Sequence, residues 1–234
     1  MRKVLVVIAI LLIGGIIVAD RLGVRIAEDE IAKQVSAQYQ LETEPDVTIH
    51  GVPFLTQALG GEYGQIDVAL GAMTQRGVTV QDVTLEMRGV RAPLSDVING
   101  NTSTITARTV TASAVVPYAA LQKYAPQGVT RLTPRGSDLQ ARVAGSVFGL
   151  RMSGSIVASL KATSRGITVT PESISNSSGP QVPISVLRQR FAFTVPVQNL
   201  LPMGARVSEL EVTPAGLRIG ASVDDVELEN LSKS

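Results

Sequence analysis

The chain reads as a β-rich α+β protein, a strongly curved antiparallel sheet wrapped on a long N-terminal helix. Three observations predict this. Val4 to Ala19 are uncharged throughout and directly follow Arg2 and Lys3. Val24, Ala27, Ile31, Val35 and Tyr39 then recur at spacings of three and four, the period of an amphipathic helix. Beyond Asp46 the apolar residues alternate in short runs separated by Gly- and Pro-containing turns, the signature of half-buried strands joined as a meander.

The first helix has two halves. The sixteen residues from Val4 to Ala19 span about 24 Å as a helix, short of a ~30 Å hydrocarbon core, which Arg2 and Lys3 extend by snorkelling and Leu22 extends at the other end. Ala19 is the best cleavage position for a signal peptidase, but Ile17 stands where a small residue is needed, so residues 1–19 are expected to be an uncleaved anchor, with secretion after cleavage as the alternative. The basic start keeps the N-terminus in the cytoplasm and places residues 20–234 on the extracytoplasmic side of the plasma membrane. Their length suits one large domain or two small lobes.

After the helix, Val47 and Ile49 alternate with polar neighbours, as do Ile66, Val68 and Leu70. Val78 and Val80 have one parity and Val83, Leu85 and Met87 the other, which predicts a β-bulge at Gln81 and Asp82; the same slip between Val223 and Val226 predicts another at Asp224 and Asp225. Residues 103–116, 139–147 and 150–161 read as long strands, the last two joined by a turn at Phe148 and Gly149. Thr133 to Gly136, Thr163 to Gly166 and Thr213 to Gly216 read as hairpin tips. Short helices are expected at Pro53 to Leu59, Pro93 to Ile98 and Pro117 to Tyr124, each with Pro near its start, and a long loop at 171–183.

Composition excludes much chemistry. There is no Cys and a single His, so no disulfide framework, no thiolate site and almost no metal site is available, and no metal or cofactor is expected. His50 shares a strand face with Thr48 and reads as a polar surface residue; its alternative role is in a hydrolase. Gly60 to Gly64 lacks the Lys and Ser or Thr of a phosphate loop and reads as a turn. Asp224, Asp225, Glu227 and Glu229 lack the spacing of a calcium loop and read as a solvated edge.

Charge is segregated along the chain. Residues 20–100 hold twelve acids and six bases, whereas residues 101–206 hold two acids and eleven bases. On the outer side of a membrane such a basic segment reads as a face for anionic headgroups, or as the partner of the acidic segments across strands. Nucleic acid is not an expected partner, because the bases are not interleaved with aromatics.

The strands 139–147 and 150–161 put an apolar face on one side. Val143, Val147, Leu150, Met152, Ile156 and Leu160 are the candidates to line an acyl chain, with Ala141, Gly145, Gly154 and Ala158 leaving room; the same small residues also suit an ordinary packed core. Arg142, Arg151, Lys161 and Arg165 are the candidates for headgroup contact. A lipid site of this kind requires an interior left partly unfilled until an amphiphile enters.

The run Asp46-Val-Thr-Ile-His-Gly-Val-Pro-Phe-Leu-Thr-Gln57, with Gly61-Glu-Tyr-Gly-Gln-Ile66, Gly89-Val-Arg-Ala-Pro-Leu-Ser-Asp96 and Val116-Pro-Tyr118, resembles the LmeA-like family of actinobacterial cell-envelope proteins. Val52 stands where a larger aromatic is expected in many relatives. The resemblance covers most of the chain. It implies a fold similar to tubular, BPI-like lipid-binding domains and a non-enzymatic, extracytoplasmic phospholipid-binding protein associated with elongation of the mannan backbone of lipomannan. Residues 20–234 are then the lipid-binding domain, with anionic phospholipids as ligands. The alternatives are a non-catalytic scaffold that recruits an envelope glycosyltransferase and a glycolipid hydrolase using His50.

Overall fold

The computed structural model describes residues 2–41, 43–75, 78–93, 95–96, 104–147, 150–163, 166–178, 183–196 and 205–227. Helix α1 (Arg2–Tyr39) runs without a break for 38 residues, about 57 Å at 1.5 Å per residue. Its first half is apolar on every side: Val4, Leu11, Leu12, Ile16 and Val18 are all exposed, and a Cβ added at Gly14 or Gly15 would meet nothing within 4 Å. A helix that is greasy all round and packs on no protein is suited to lipid. It is long and apolar enough to cross a membrane, which is compatible with an anchor or a signal sequence.

The remaining elements are β1 (Asp46–His50), α2 (Phe54–Gly60), β2 (Glu62–Gln75), β3 (Val78–Arg91), β4 (Thr106–Pro117), α3 (Tyr118–Gln122), β5 (Val129–Arg135), β6 (Asp138–Val147), β7 (Leu150–Thr163), β8 (Gly166–Ser178), α4 (Ile184–Phe191), β9 (Phe193–Val195), β10 (Arg206–Val212) and β11 (Gly216–Glu227). One sheet has the order β1-β2-β3-β4-β11-β10 and a second the order β5-β6-β7-β8-β9. The protein is α+β and β-rich, with a long N-terminal helix and a strongly curled antiparallel sheet.

The chain divides into two compact units. Unit 1 comprises residues 1–71, 84–112 and 223–234, and unit 2 residues 72–83 and 113–222. In unit 1 the amphipathic half of α1 lays Val24, Ala27, Ile31 and buried Ala32 on a core that includes Val47, Ile49, Phe54, Tyr63, Ile66 and Val68. β1 pairs with β2 so that Ile49 faces Ile66 and Val47 faces Val68. In unit 2 the core gathers Leu139, Ala141, Val143, Ile156 and Ala158 from β6 and β7, Ile167 and Val169 from β8, and Leu187 and Phe191 from α4.

Both expected bulges have a backbone signature. Asp82 and Asp225 adopt positive φ, 48° and 51°, inside strands that otherwise run on, and Asp is among the few residues that tolerate this conformation. The three expected hairpin tips lie between β5 and β6, β7 and β8, and β10 and β11. In the last two the hydroxyl of the leading Thr, Thr163 or Thr213, donates to the carbonyl of the closing Gly at 2.8 Å. The turn residues Phe148, Gly149, Ser164 and Arg165 lie outside the described residues, as do Leu94, Val97 and Ile98 of the helix expected at Pro93 to Ile98, within which Ser95 and Asp96 are helical.

The expected loop at 171–183 is corrected. Strand β8 continues to Ser178 through Pro171, Ser175, Asn176 and Ser177, and the register skips a residue opposite Val157 and Ala158. Pro171 is buried at that skip, where a missing N–H interrupts no regular ladder. The helix α4 that follows was not expected, although Pro183 before its first turn and Leu187 and Phe191 one turn apart are its signal.

Candidate functional site

The apolar face of the second sheet holds the acyl-lining candidates whose side chains are described. Val143 and Ile156 are each only 1% exposed, and Leu160 is half-buried against the same cluster. Ala141 pairs with Ile156 and Leu139 with Ala158, so β6 and β7 present one continuous aliphatic strip, which β8 extends with Val169 opposite Leu160. Val147, Leu150 and Met152 belong to the paired ends of these strands, and their side chains lie outside the described residues. Leu187 and Phe191 of α4 are buried in the same cluster. Helix α4 is tied down where Arg188 Nε donates to the Pro171 carbonyl at 3.0 Å and Nη2 to Glu172 Oε2 at 2.9 Å.

The headgroup candidates face the other way. Arg142 is exposed between buried Ala141 and Val143, and Lys161 is exposed beside half-buried Leu160; strand alternation puts both on the face opposite Val143 and Ile156. Arg142 is the direct cross-strand partner of Arg131, also exposed, and neither side chain has a carboxylate partner among the described residues. Like charges placed opposite each other destabilise a strand pair unless water or an anion lies between them. The side chain of Arg151 and the whole of Arg165 lie outside the described residues.

Glu172 is the group most perturbed on this face. The Ser159 hydroxyl, which donates to Oε1 at 2.8 Å, holds its carboxyl below the ordinary glutamate value against the opposing effect of desolvation, with the nearby charges of Arg188 and Lys161 acting in the same direction as Ser159. This arrangement clasps α4 and has no acid/base partner, so it reads as structural.

Unit 1 carries a second set of polar residues that the sequence did not single out. Asp20, the first charged residue after the apolar run, is buried, and its Oδ1 accepts the Leu55 N–H at 2.8 Å. It caps α2 from outside, where the helix's own cap position is Pro53 and offers no side-chain acceptor. Two helical turns on, Glu28 Oε1 accepts the Ile49 N–H at 2.8 Å. The two carboxylates fasten α1 to the sheet edge and to α2.

At the far end of α2, Gly61 closes the helix in the left-handed conformation, φ 66°, and its carbonyl accepts the Ala92 N–H at 2.9 Å. Beside it an open basin of about 430 Å³ has Glu62, Gly64, Arg88, Gly89, Arg91 and Arg108 in its lining, with Tyr63 and Val90. Arg88 pairs with Glu86, and Arg91 Nε lies 3.2 Å from Glu62 Oε1. Gly89 is left-handed, φ 59°, and a Cβ there would lie 3.1 Å from the Arg108 Cβ and 3.3 Å from its Nε. The Arg108 side chain thus lies across a bare stretch of backbone. Burial raises the Tyr63 hydroxyl pKa.

The remaining candidates whose side chains are described lie on the surface. His50 is exposed, and its Nε2 lies 2.7 Å from Asp67 Oδ2 in a surface pair. Asp224 accepts the Thr109 hydroxyl at 3.0 Å, Asp225 forms the bulge, and Glu229 lies outside the described residues. No group of carboxylates or histidines suited to a metal ion occurs among the described residues.

A family model described as LmeA-like phospholipid-binding matches residues 18–222. No curated protein and no solved structure matches the chain.

Proposed function

The chain belongs to the LmeA-like phospholipid-binding family, and on that premise we propose a non-enzymatic phospholipid-binding protein of the cell envelope. Its N-terminal helix holds it uncleaved on the extracytoplasmic face of the plasma membrane, and there it supports elongation of the lipomannan mannan backbone. Its ligands are anionic phospholipids.

The observation that carries this reading is the aliphatic strip of the second sheet covered by α4, a helix of eight residues. An acyl chain that enters along Val143 and Ile156 takes the place of Leu187 and Phe191, so one hydrocarbon contact is exchanged for another and the strip stays out of water. Each buried methylene contributes about 0.8 kcal/mol, against roughly 1.5–3 kcal/mol for each of the side chains of Leu187 and Phe191 that is uncovered, so about four to eight methylenes of one chain must enter before binding is favourable. Leu150, Met152, Val147 and Leu160 extend the same strand faces and would line the rest of the chain's path. On the opposite face, Arg131, Arg142 and Lys161 favour an anionic surface; Arg151 and Arg165 belong to the same proposal.

The test is extraction of lipid from the purified full chain, followed by mass spectrometry. Stoichiometric phospholipid enriched in anionic species is expected, and charge reversal at both Arg142 and Lys161 should lower the anionic share. An unchanged share removes the outer-face proposal. A second reading, a scaffold that recruits an envelope glycosyltransferase, is favoured by the near-complete burial of Val143 and Ile156 in one cluster with Leu187 and Phe191, so that the protein's own side chains cover the strip. Extracts with no stoichiometric lipid would select it.

A further inference from the structure

We infer that the arginine basin of unit 1 is a binding site for the phosphate of a phospholipid headgroup that remains in the bilayer. The inference rests on the phospholipid-binding reading and on α1 being an anchor. It assigns the headgroup to residues other than the cations of the second sheet.

The chemistry comes first. Arg88, Arg91 and Arg108 converge on a floor made by Gly64 and Gly89. Two of the three are held by one carboxylate each, Glu86 and Glu62, which fixes their direction while leaving N–H groups of each guanidinium unused. Arg108 has no carboxylate partner among the described residues. Three guanidinium groups against two carboxylates leave the site positive, and guanidinium groups favour phosphate through paired, charge-assisted hydrogen bonds. The bare backbone at Gly64 lets an anion come close, whereas Gly89 lies under the Arg108 side chain. A Cβ at Gly64 would meet nothing within 4 Å, so the open volume of the basin begins at that backbone.

Position selects the source of the phosphate. Ile49 is tied to Glu28 and Leu55 to Asp20, so the chain leaving β1 travels back along α1 toward the apolar run that ends at Ala19. β2 is antiparallel to β1 and therefore begins at that same end, and the basin is at its beginning. From Ile66, level with Ile49, back to Glu62 is about 13 Å of strand, and from Glu28 back to Asp20 is about 12 Å of helix. The basin thus lies level with Asp20, where an anchored span leaves the hydrocarbon and headgroups begin. Val52 and Leu59, at either end of α2, are exposed there too, as expected of a surface that rests on lipid.

Two variants test the site. Gly64→Leu fills the basin without changing its charge, and Arg108→Gln removes the uncommitted cation while keeping its stem over Gly89. The full chain in dodecyl maltoside is titrated calorimetrically with dihexanoyl phosphatidylglycerol, with dihexanoylglycerol, which has the same tails and no phosphate, and with inorganic phosphate. Each variant is expected to weaken the phosphatidylglycerol interaction about tenfold, the loss of one charge-assisted hydrogen bond, and to leave dihexanoylglycerol unchanged. Circular dichroism melts confirm that both variants fold. Equal phosphatidylglycerol affinity in wild type and both variants overturns the basin assignment, even where extracted lipid upholds the phospholipid-binding reading. Inorganic phosphate that binds as tightly as the lipid overturns the headgroup source in favour of a free anion. Loss of binding in the variants, from a wild type that retains no lipid on extraction, upholds the basin and removes the acyl-lined strip of the second sheet.

Discussion

The two units are stabilised differently. Among the described residues the largest fully buried side chains, Leu139, Ile156, Ile167, Leu187, Leu217, Val115, Val143 and Pro171, all belong to unit 2. Unit 1 has a core as well, but its distinguishing features are polar: carboxylates of α1 that accept backbone N–H groups, and an open basin ringed by arginines. Unit 2 keeps hydrocarbon away from water, and unit 1 places charge at the end of an apolar helix. A protein that handles an amphiphile needs both, and here they are assigned to different stretches of chain.

The largest expected effect is in the dry unit. Leu139→Ala should cost about 2–5 kcal/mol, because a fully buried Leu loses its contacts and leaves a cavity that rigid neighbours cannot close. Denaturant unfolding of the full chain in detergent measures it. Phospholipid added in excess should recover part of the loss if acyl chains occupy this interior; a cost unaffected by lipid would make unit 2 an ordinary core.

A smaller effect is expected in the polar unit. Asp20→Ala leaves the Leu55 N–H without its acceptor and should cost about 1–2 kcal/mol, read as faster hydrogen exchange across α2, while Asp20→Asn keeps the acceptor and most of the protection. Exchange unchanged in Asp20→Ala would mean that α1 does not hold α2, and would break the contrast between the units. Smaller again is Tyr118→Phe. The Tyr118 hydroxyl donates to the carbonyls of Thr213 at 2.6 Å and Gly216 at 3.2 Å, and burial raises its pKa. Its loss should cost about 1 kcal/mol and loosen only the turn between β10 and β11.

What the sequence revealed follows the same division. Alternation made β6 and β7 legible, and the parity slips at Asp82 and Asp225 were readable because a buried face leaves no freedom of register. Leu187 and Phe191 were obscured by the Ser- and Pro-rich stretch before them, where composition suggested a loop and pairing with β7 produced a strand. The basin was illegible for a different reason. Arg88 and Arg91 lie in the acid-rich part of the chain and Arg108 in the basic part, so net charge by segment averaged them away, and only the pairing of β2, β3 and β4 brings them together. Arg142 and Lys161 were legible as cations, but strand parity already placed them across the sheet from Val143 and Leu160, a constraint that becomes decisive once the register is known.

The smallest effect concerns the clasp on α4. Because Ser159, Arg188 and Lys161 favour the charged form of Glu172, its folded pKa lies below the ordinary value of 4.5. A depressed carboxylate pKa contributes stability that is present above the unfolded value and is lost as pH falls through the folded one. Protonated Glu172 no longer holds Arg188, whose other tie, to the Pro171 carbonyl, is unaffected by pH. Protection of the Leu187 and Ala192 amides relative to their intrinsic exchange rates should therefore fall modestly on going from pH 6 to below the ordinary glutamate range, and Glu172→Gln should remove that dependence. Because the pair is exposed, 0.5 M salt should mimic part of the acid effect. A pH dependence that survives Glu172→Gln would place the titrating group elsewhere and leave α4 held by Leu187, Phe191 and the Arg188 bond to the Pro171 carbonyl, so that hydrocarbon entering the strip would have to displace apolar contacts to dislodge it.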